Sequence, residues 1–385
     1  MALLSGEIDT LLQKGFSRRQ LGRIAGVLTA GAAFPFYNEF AMAQQAERRM
    51  RGGRESFGPD YVRINQNENP MGPSKEGLDA MMKSAPTAWR YSGAGEQGAL
   101  IKAIAEMENV PEDHIAIFAG SSDPLLRTQC AFTSPTRSWT MGSPGYGGGA
   151  PQYIGSKVTR VPLRDDYAHD GPAMIKADPD AGAYYIVNPN NPTGTLTPRK
   201  DIDYLLANKR KDAILVIDEA YIHFTEAAQP CIDLVRADKD VLVMRTFSKI
   251  YGMAGIRAGF AMGRPDLLGK LRPYGPGFLP LPSIACAAAS LNAKNLVSER
   301  RALNRRIREN TFAFLEKKGV KYIPSEANFF MMEVNRPHDD FARAMAAQKV
   351  IVGRMWSEWP TKVRVSVGSE DDMAKFKAAF EKVWA

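Results

Sequence analysis

The chain has 385 residues with 44% apolar content, which is enough to bury a large core and predicts two or more domains. Its formal net charge of +8 favours anions in general, but no basic stripe interleaved with aromatic residues occurs, so we do not expect nucleic-acid binding. The three cysteines and four histidines lack metal-ligand spacing, which argues against a catalytic zinc and against a disulfide framework.

The N-terminus carries the pattern of an export signal. The paired arginines Arg18 and Arg19 precede a short apolar run from Ile24 to Phe36, and an Ala-x-Ala cleavage site ends at Ala43. We interpret residues 1–43 as a twin-arginine-type signal peptide, which predicts the twin-arginine export machinery as a partner and a periplasmic location. The apolar run is too short to span a bilayer, so no stable membrane anchor is expected. The alternative is an ordinary amphipathic helix of a cytoplasmic protein.

Strand-like and helix-like stretches alternate from about residue 115 to residue 265. Apolar runs at 115–118, 158–161, 183–187, 213–217 and 241–244 predict buried strands. This alternation is typical of a mostly parallel sheet in a three-layer α/β domain. The turn from Gly120 to Asp123 leads into a predicted helix whose free N–H groups suit an anion.

Two of the predicted strands end in polar motifs. Residues Asn188 to Gly194 read Asn-Pro-Asn-Asn-Pro-Thr-Gly and predict a tight loop directly after one strand. The next strand delivers Asp218, Glu219 and Tyr221 at its C-terminal end. Since binding sites of open α/β sheets lie at the carboxyl ends of strands, we expect both motifs at one site. Taken singly, each motif is equally well explained as a turn or a strand end.

Lys249 is the predicted covalent residue. An amine forms an imine only after it loses its proton, so such a lysine needs a desolvated or cation-rich site. Arg257 supplies a cation and a planar fork for a phosphate, and Thr246 and Ser248 add hydroxyl donors. This grouping indicates a lysine bonded to a phosphorylated cofactor, whereas the Ser-Lys pair alone would indicate an ordinary surface lysine.

The chain changes character after a Pro/Gly-rich stretch from Arg272 to Pro280. We place the change to a smaller domain there, and we expect an alanine-rich helix from Ile284 through Arg306 to join the two domains. The predicted domains are the signal peptide (1–43), an N-terminal arm (44–75), a large cofactor-binding domain (76–275) and a small α+β domain (276–385).

Two arginines near the C-terminus are candidate substrate ligands. Arg364 lies in the alternating pattern of residues 362–368, whose simplest interpretation is a solvated strand face. Arg354 follows the apolar run 350–352 and a glycine. Trp356 and Trp359 come next, and they either line an apolar substrate pocket or pack in the core.

In these motifs the chain resembles the fold type I pyridoxal phosphate aminotransferases, and among them the histidinol-phosphate aminotransferase family. The resemblance runs from about Asn65 to the C-terminus. It rests on motifs that occur in the family's order: Asn67-Glu68-Asn69-Pro70, Arg90-Tyr91, Gly120 to Asp123, Pro144 to Gly147, Asn191 to Gly194, Asp218 to Tyr221, Ser248-Lys249 with Arg257, and Val363 to Gly368.

The resemblance implies pyridoxal 5'-phosphate as cofactor and a ping-pong reaction through pyridoxamine phosphate. Lys249 would bind the cofactor covalently and move the substrate's proton, and Asp218 would pair with the pyridinium nitrogen. Tyr221 and Asn191 would hydrogen-bond the 3'-oxygen, and Tyr146 would stack on the ring. The implied phosphate ligands are Ser121, Ser122, Thr246, Ser248 and Arg257.

The resemblance also implies substrate and subunit contacts. Arg364 would clamp the substrate carboxylate, with Asn67 nearby, and Tyr91 would reach the phosphate of a neighbouring subunit in a homodimer. Arg354 would read a substrate phosphate, but the segment before it is one residue longer than the family's pattern, which leaves phosphate recognition open. The peptide bond between Asn191 and Pro192 is a candidate cis bond.

We therefore expect a transaminase that moves an amino group between an amino acid and a 2-oxo acid or related carbonyl. The alternatives are a decarboxylase or lyase that uses the same lysine, and a non-catalytic binding protein of the same fold. Export argues against a role in histidine biosynthesis, because an intermediate made and consumed in the cytoplasm is an odd substrate for an exported enzyme.

Overall fold

The computed structural model describes residues 58–275 and 278–384, together with Leu12, Ser17 and Arg18. The predicted cleavage site and nearly all of the predicted signal peptide lie outside the described residues. Within these ranges no helix is long and apolar enough to cross a membrane, and no cluster of His, Cys, Asp and Glu side chains could hold a metal ion.

The described strands alternate with helices along most of the chain. The strands are β1 (Val62–Ile64), β2 (Ile115–Phe118), β3 (Trp139–Ser143), β4 (Val158–Pro162), β5 (Ala183–Val187), β6 (Ile214–Asp218), β7 (Val241–Thr246), β8 (Gly259–Met262), β9 (Tyr322–Ile323), β10 (Phe329–Glu333), β11 (Val350–Val352) and β12 (Lys362–Ser366). The α-helices are α1 (Lys75–Ser84), α2 (Ala94–Glu108), α3 (Ser122–Phe132), α4 (Ala150–Tyr153), α5 (Gly171–Ala177), α6 (Arg199–Asn208), α7 (Ile232–Arg236), α8 (Pro265–Gly269), α9 (Leu281–Leu291), α10 (Leu296–Lys317), α11 (His338–Ala347) and α12 (Glu370–Trp384). Short 3-10 helices lie at Ala85–Thr87, Glu112–His114, Ile222–Phe224 and Arg272–Tyr274.

A seven-stranded sheet forms the centre of the fold, in the order β2-β8-β7-β6-β5-β3-β4. Only β8 runs antiparallel to its neighbours, and the other pairs are parallel. Every residue of β5, β6 and β7 is buried, as expected for strands covered on both faces by helices. The predicted three-layer, mostly parallel α/β fold is confirmed.

The C-terminal part has two small sheets of its own. Strands β12, β10 and β9 form an antiparallel sheet, while β11 pairs in parallel with the N-terminal strand β1. Val62 and Ile64 of β1 consequently belong to the C-terminal hydrophobic core. The N-terminal segment thus packs with residues near the other end of the chain.

The two main cores meet along α10. Leu296 and Val297 at its start pack against the core of the large sheet, whereas Ile307 and Leu315 belong to the C-terminal core. The helix we expected to begin at Ile284 is interrupted: α9 ends at Leu291 and α10 begins at Leu296. Asn295 has a left-handed φ of 57°, which asparagine tolerates and a continuous helix does not.

The predicted domain boundaries stay a prediction. The change near residue 275 falls beside Pro276 and Gly277, which lie outside the described residues. Leu279 and Ile284, just beyond this point, pack in the core of the large sheet. The core therefore continues past the Pro/Gly-rich stretch.

Candidate active site

A cavity of about 380 Å³ opens where the parallel strands β5, β6 and β7 end. Its volume lies in the range of sites that hold small molecules and cofactors. Nine predicted site residues line it: Ser121, Ser122, Tyr146, Asn191, Asp218, Tyr221, Ser248, Lys249 and Arg257. The wall also contains residues that we did not predict as ligands: Gln66, Glu68, Val187, Ala220, Ala254 and Gly255.

Asp218 ends β6 and is buried. The backbone N–H of Ala220 donates to one carboxylate oxygen at 3.0 Å, and the hydroxyl of Tyr185 donates to the other at 2.9 Å. Burial raises the pKa of Asp218 to about 6, although both donors and the ammonium of Lys249 act to lower it. A cation placed against this carboxylate, such as a protonated ring nitrogen, would stabilise its ionised form.

Lys249 lies in the loop after β7 and is held by the N-terminal segment. Its Nζ donates to the carbonyl oxygen of Asn67 at 3.0 Å and to that of Gln66 at 3.4 Å. The Nδ2 of Asn67 in turn donates to the hydroxyl of Tyr221 at 3.2 Å. Asn67, which we predicted as a substrate ligand, therefore contacts both the lysine and the phenol of the site.

Arg257 and the hydroxyls beside it form a cluster of donors. One guanidinium nitrogen of Arg257 donates to Ser248 Oγ at 3.3 Å, and another donates to the carbonyl oxygen of Ala119 at 3.2 Å. The hydroxyl of Thr246 donates to Ser248 Oγ at 2.9 Å, so Thr246 acts on the cluster through Ser248. Burial lowers the pKa of Arg257, and an anion bound beside it would oppose that effect.

The Gly120 turn brings this cluster to the start of α3. A Cβ atom on Gly120 would lie 2.2 Å from Nη2 of Arg257, so the absence of a side chain lets the guanidinium reach the turn. Ser121 and Ser122 follow at the N-terminus of α3, where free N–H groups attract an anion. A cation, hydroxyl donors and a helix N-terminus together fit the phosphate of the expected cofactor.

Tyr146, Tyr221 and Asn191 line the remainder of the cavity. The hydroxyl of Tyr146 lies 3.5 Å from Ser122 Oγ. Nδ2 of Asn191 donates to the hydroxyl of Tyr221 at 3.5 Å. The peptide bond from Asn191 to Pro192 is cis, which confirms the prediction; the Ser143–Pro144 and Asn188–Pro189 bonds are cis as well.

Arg364 lies directly behind the cavity wall. Its side chain is fully buried, so the interpretation of β12 as a solvated strand face is wrong at this position. One guanidinium nitrogen donates to Oδ1 of Asn191 at 2.9 Å, and another donates to the carbonyl oxygen of Asn65 at 2.8 Å. Because Asn191 lines the cavity, the guanidinium of Arg364 is one residue away from it.

The guanidinium groups of Arg354 and Arg364 both contact the indole ring of Trp356. The Cζ atom of Arg354 is 4.0 Å from the ring centre of Trp356, and that of Arg364 is 5.2 Å from it. Trp356 is buried and packs with Ile323 and Met331. It is therefore a core residue that also orients both arginines. Its role as a substrate-pocket residue stays a prediction.

Tyr91 lies on an exposed aromatic surface. Its side chain is 84% exposed and stacks on Phe278, with ring centres 5.2 Å apart. Trp89, two residues earlier, is 76% exposed. The predicted contact of Tyr91 with the phosphate of a neighbouring subunit stays a prediction.

Sequence reasoning missed Tyr185, which contacts Asp218. The signal available was its position in the fully buried run of β5, where a phenol hydroxyl needs a partner. The parallel register pairs Val187 with Asp218, so Tyr185 lies two residues back on the same face of the sheet. That register is visible only once the two strands are paired.

Comparison with known proteins places this site in a family context. Residues 59–380 match the family model "Aminotransferase class I and II". A histidinol-phosphate aminotransferase from Symbiobacterium thermophilum is 32% identical over 330 residues, which cover 84% of this chain and 90% of that protein.

Two solved structures share the fold. A histidinol-phosphate aminotransferase from Sinorhizobium meliloti, in complex with pyridoxal-5'-phosphate, has a TM-score of 0.76 at 24% identity, covering 92% of this chain and 96% of that one. Aspartate aminotransferase from Thermus thermophilus with maleate has a TM-score of 0.77 at 20% identity, covering 92% and 98%. Since proteins named for different substrates match about equally well, the fold alone does not identify a substrate.

Proposed function

This chain belongs to the class I and II aminotransferases, and we propose that it transfers the amino group of an amino acid to a 2-oxo acid while Arg364 holds the carboxylate of each. The enzyme is a transaminase, and pyridoxal phosphate is its cofactor. When bound, the cofactor supplies an electron sink for the charge left on the substrate carbon after its proton departs.

The residues that line the cavity take the following roles in this proposal. The Nζ of Lys249 bonds the cofactor and later moves the proton of the amine-bearing carbon. Asp218 keeps the ring nitrogen protonated, since a buried carboxylate favours a cation beside it. Arg257 and Ser248 hold the phosphate together with the N-terminus of α3. Tyr146 packs on the ring, and Tyr221 with Asn191 binds its phenolic oxygen.

The hydrogen bond from Arg364 to Asn191 is the observation that carries the proposal. It fixes a planar guanidinium directly behind the cavity wall, next to the asparagine that lines the cavity and also contacts Tyr221. A guanidinium binds a carboxylate through two parallel hydrogen bonds, which fixes both the position and the orientation of the substrate. Holding the carboxylate in place also favours transamination over loss of that carboxylate as carbon dioxide.

A phosphorylated amine is the second candidate substrate. The stacking of Arg354 on Trp356 places a second guanidinium beside Arg364, although the segment before it is one residue longer than expected. A phosphate on the substrate's far end would be bound by Arg354 as a charge-assisted pair. The name of the Symbiobacterium relative supports this candidate.

An absorbance experiment tests the proposal directly. Purified protein is loaded with pyridoxal phosphate and scanned with each of the common amino acids and with histidinol phosphate, followed by a 2-oxo acid. Conversion to the pyridoxamine form by an amino acid, and its reversal by the 2-oxo acid, is the expected result. Conversion by histidinol phosphate alone would support the second candidate. A spectral change without pyridoxamine would support a decarboxylase or lyase and contradict the proposal.

We propose further that the active unit is a homodimer. Tyr91 and Phe278 form an exposed stacked pair, and Trp89, two residues before Tyr91, is exposed as well; exposed apolar groups of this kind often mark interfaces. In a dimer Tyr91 would reach the phosphate bound to the other subunit. Sedimentation analysis would show a dimer, and a Tyr91→Phe variant would bind the cofactor more weakly while remaining dimeric. A fully active monomer would contradict this arrangement.

Export by the twin-arginine machinery, with a periplasmic location, is the remaining proposal. Its support is the pair Arg18 and Arg19 with the apolar run and Ala-x-Ala site that follow. Twin-arginine export carries folded proteins, which suits an enzyme that takes up its cofactor before it leaves the cytoplasm. Replacing both arginines by lysine should retain the protein inside the cell with its precursor uncleaved. Unchanged fractionation of that variant would contradict the proposal.

A further inference from the structure

Tyr185 is a buried phenol that none of the roles above uses. It lies in the middle of β5 and is 1% exposed. Its hydroxyl donates to Oδ2 of Asp218 at 2.9 Å, while Oδ1 accepts from the N–H of Ala220. These two donors fix both oxygens of the carboxylate, and so they fix its plane.

We propose that Tyr185 is a positioning residue for the cofactor, acting through Asp218: it holds the carboxylate ionised and oriented toward the ring nitrogen. The inference rests on the proposed pairing of Asp218 with that nitrogen. A phenol donates well to a carboxylate and poorly to a protonated carboxyl oxygen, so the bond favours the ionised form.

The Tyr185 ring also supports the loop that carries Tyr146. A Cβ atom on Gly147 would lie 2.8 Å from Cε1 of Tyr185, so the glycine backbone rests directly on the phenol ring. The side-chain amide of Gln129 holds the same loop through the carbonyl of Gly147. Trp139 packs against Tyr185, with ring centres 5.1 Å apart. One ring therefore contacts both the partner of the ring nitrogen and the loop of the stacking tyrosine.

The groups around Asp218 and Tyr185 affect the ionisation of both side chains. Lys249 acts to lower the pKa of the carboxyl, whereas the adjacent Glu219 acts to raise it. Tyr146 and Tyr221 are the phenols that face Tyr185 from other elements. Burial and the neighbouring Asp218 raise the pKa of Tyr185 well above its ordinary value, so its hydroxyl stays protonated and remains a donor.

Loss of the hydroxyl should therefore make Asp218 harder to ionise. The pKa of the Asp218 carboxyl would rise above that of the wild type, and cofactor binding that depends on the carboxylate would begin to weaken at a higher pH. The orientation of the Asp218 carboxylate would be less well fixed at every pH, since Oδ2 would lose its donor. Both effects can be measured as the affinity of the cofactor-free protein for pyridoxal phosphate, without any substrate or turnover.

The test compares Tyr185→Phe with Tyr184→Phe. Tyr184 is the adjacent residue on β5, points to the other face of the sheet and donates to the carbonyl of Asp178. Tyr184→Phe therefore also removes a buried phenol hydroxyl, but one that does not contact Asp218. The dissociation constant of pyridoxal phosphate is measured by fluorescence titration of the cofactor-free proteins from pH 5 to pH 9. We expect Tyr185→Phe to bind about tenfold more weakly at neutral pH. On acidification, we also expect the affinity of Tyr185→Phe to begin to fall at a higher pH than that of the wild type. Tyr184→Phe should behave like the wild type.

A double-variant cycle with Asp218→Asn separates the possible outcomes. If Tyr185 acts through Asp218, the effect of Tyr185→Phe should disappear in the Asp218→Asn background. An equal loss in both backgrounds would show that the hydroxyl of Tyr185 affects cofactor binding independently of Asp218 and would overturn the inference. So would wild-type binding by Tyr185→Phe while Asp218→Asn binds weakly. If Asp218→Asn itself binds normally, the proposed role of Asp218 fails first. Unfolding midpoints of the cofactor-free variants show whether each one is folded.

Discussion

The Nζ of Lys249 donates to the backbone carbonyl oxygen of Asn67 at 3.0 Å. The N–H of Asn67 donates in turn to the hydroxyl of Ser366 at the end of β12. The reactive amine is thus positioned by a backbone group of the N-terminal segment, and that segment is tied to the C-terminal sheet. Residues from three distant parts of the chain fix one nitrogen atom.

Replacing Lys249 should abolish turnover while the fold remains intact. The amine is the group that bonds the cofactor, and no other cavity-lining lysine is found in the described residues. We expect Lys249→Ala to lose both transamination and the absorbance of the covalently bound cofactor. Lys249→Arg is the matched control, because it keeps the positive charge near Asp218 without a group that forms the bond. Transamination by either variant would show that another residue is the covalent one.

Replacing Arg257 should weaken cofactor binding without affecting stability strongly. Its guanidinium is the cation that lies beside Ser248 and the Gly120 turn, and charge-assisted hydrogen bonds contribute about 1.5–3 kcal/mol. Arg257→Gln should therefore raise the dissociation constant of pyridoxal phosphate by about 10- to 100-fold. Arg264→Gln removes a guanidinium that pairs with Asp240 and Asp266 and does not line the cavity, so this variant should bind the cofactor normally. Equal affinities for the two variants would exclude Arg257 from the phosphate site.

Asp218 should destabilise the cofactor-free protein at neutral pH. Its pKa in the folded state is raised from 3.8 to about 6, so folding favours the protonated form. This destabilisation is absent below the pKa of Asp218 in the unfolded state. It grows as the pH rises from that pKa to the pKa of the folded state, and it is constant above the folded-state pKa. By linkage it amounts to about 3 kcal/mol at neutral pH.

Urea unfolding of the cofactor-free wild type and of Asp218→Asn should therefore show a pH-dependent difference. The variant should be more stable at pH 7.5, and its advantage should shrink toward pH 4. Saturating pyridoxal phosphate should remove the advantage, because it stabilises the wild type through the carboxylate. An advantage that does not change with pH would show that the ionisation of Asp218 is not its cause.

Breaking the buried ion network next to the site should lower the stability of the protein strongly. Arg245 donates to Glu219 at 2.9 Å and also pairs with Glu108, and all three side chains are buried. Removing the guanidinium would leave two buried carboxylates without their cation. We expect Arg245→Met to lower the free energy of unfolding by about 3–5 kcal/mol. Arg343→Met, at an exposed pair with Asp340, should cost less than about 1 kcal/mol in the same denaturant titration. Similar losses for both would contradict this account.

The strands and most of the cavity wall could be predicted because local patterns determine them. An apolar run that ends in Asp218 or in the Asn188 loop shows both a buried strand and what lies at its end. The contacts that tie the site together are not local: β1 pairs with β11, and Tyr185 meets Asp218 only through the register of β5 on β6. The role of Asn67 was missed in part because its backbone carbonyl, not its side chain, contacts the lysine. A backbone contact leaves no signal in residue type.

The two guanidinium groups on Trp356 should separate the candidate substrates. Arg364 is fully buried behind Asn191, so Arg364→Lys loses the planar fork while it keeps the charge. We expect the KM of any amino acid substrate to rise by at least about tenfold, since the carboxylate would lose one of two parallel hydrogen bonds. Arg354→Met keeps an apolar side chain packed on Trp356 but removes the charge. It should change the KM of amino acids only slightly and raise the KM of a phosphorylated amine strongly. Steady-state kinetics of both variants with both substrate classes measure this. If Arg354→Met impaired amino acids and phosphorylated amines alike, Arg354 would be a structural support for Arg364, and no separate phosphate subsite would exist.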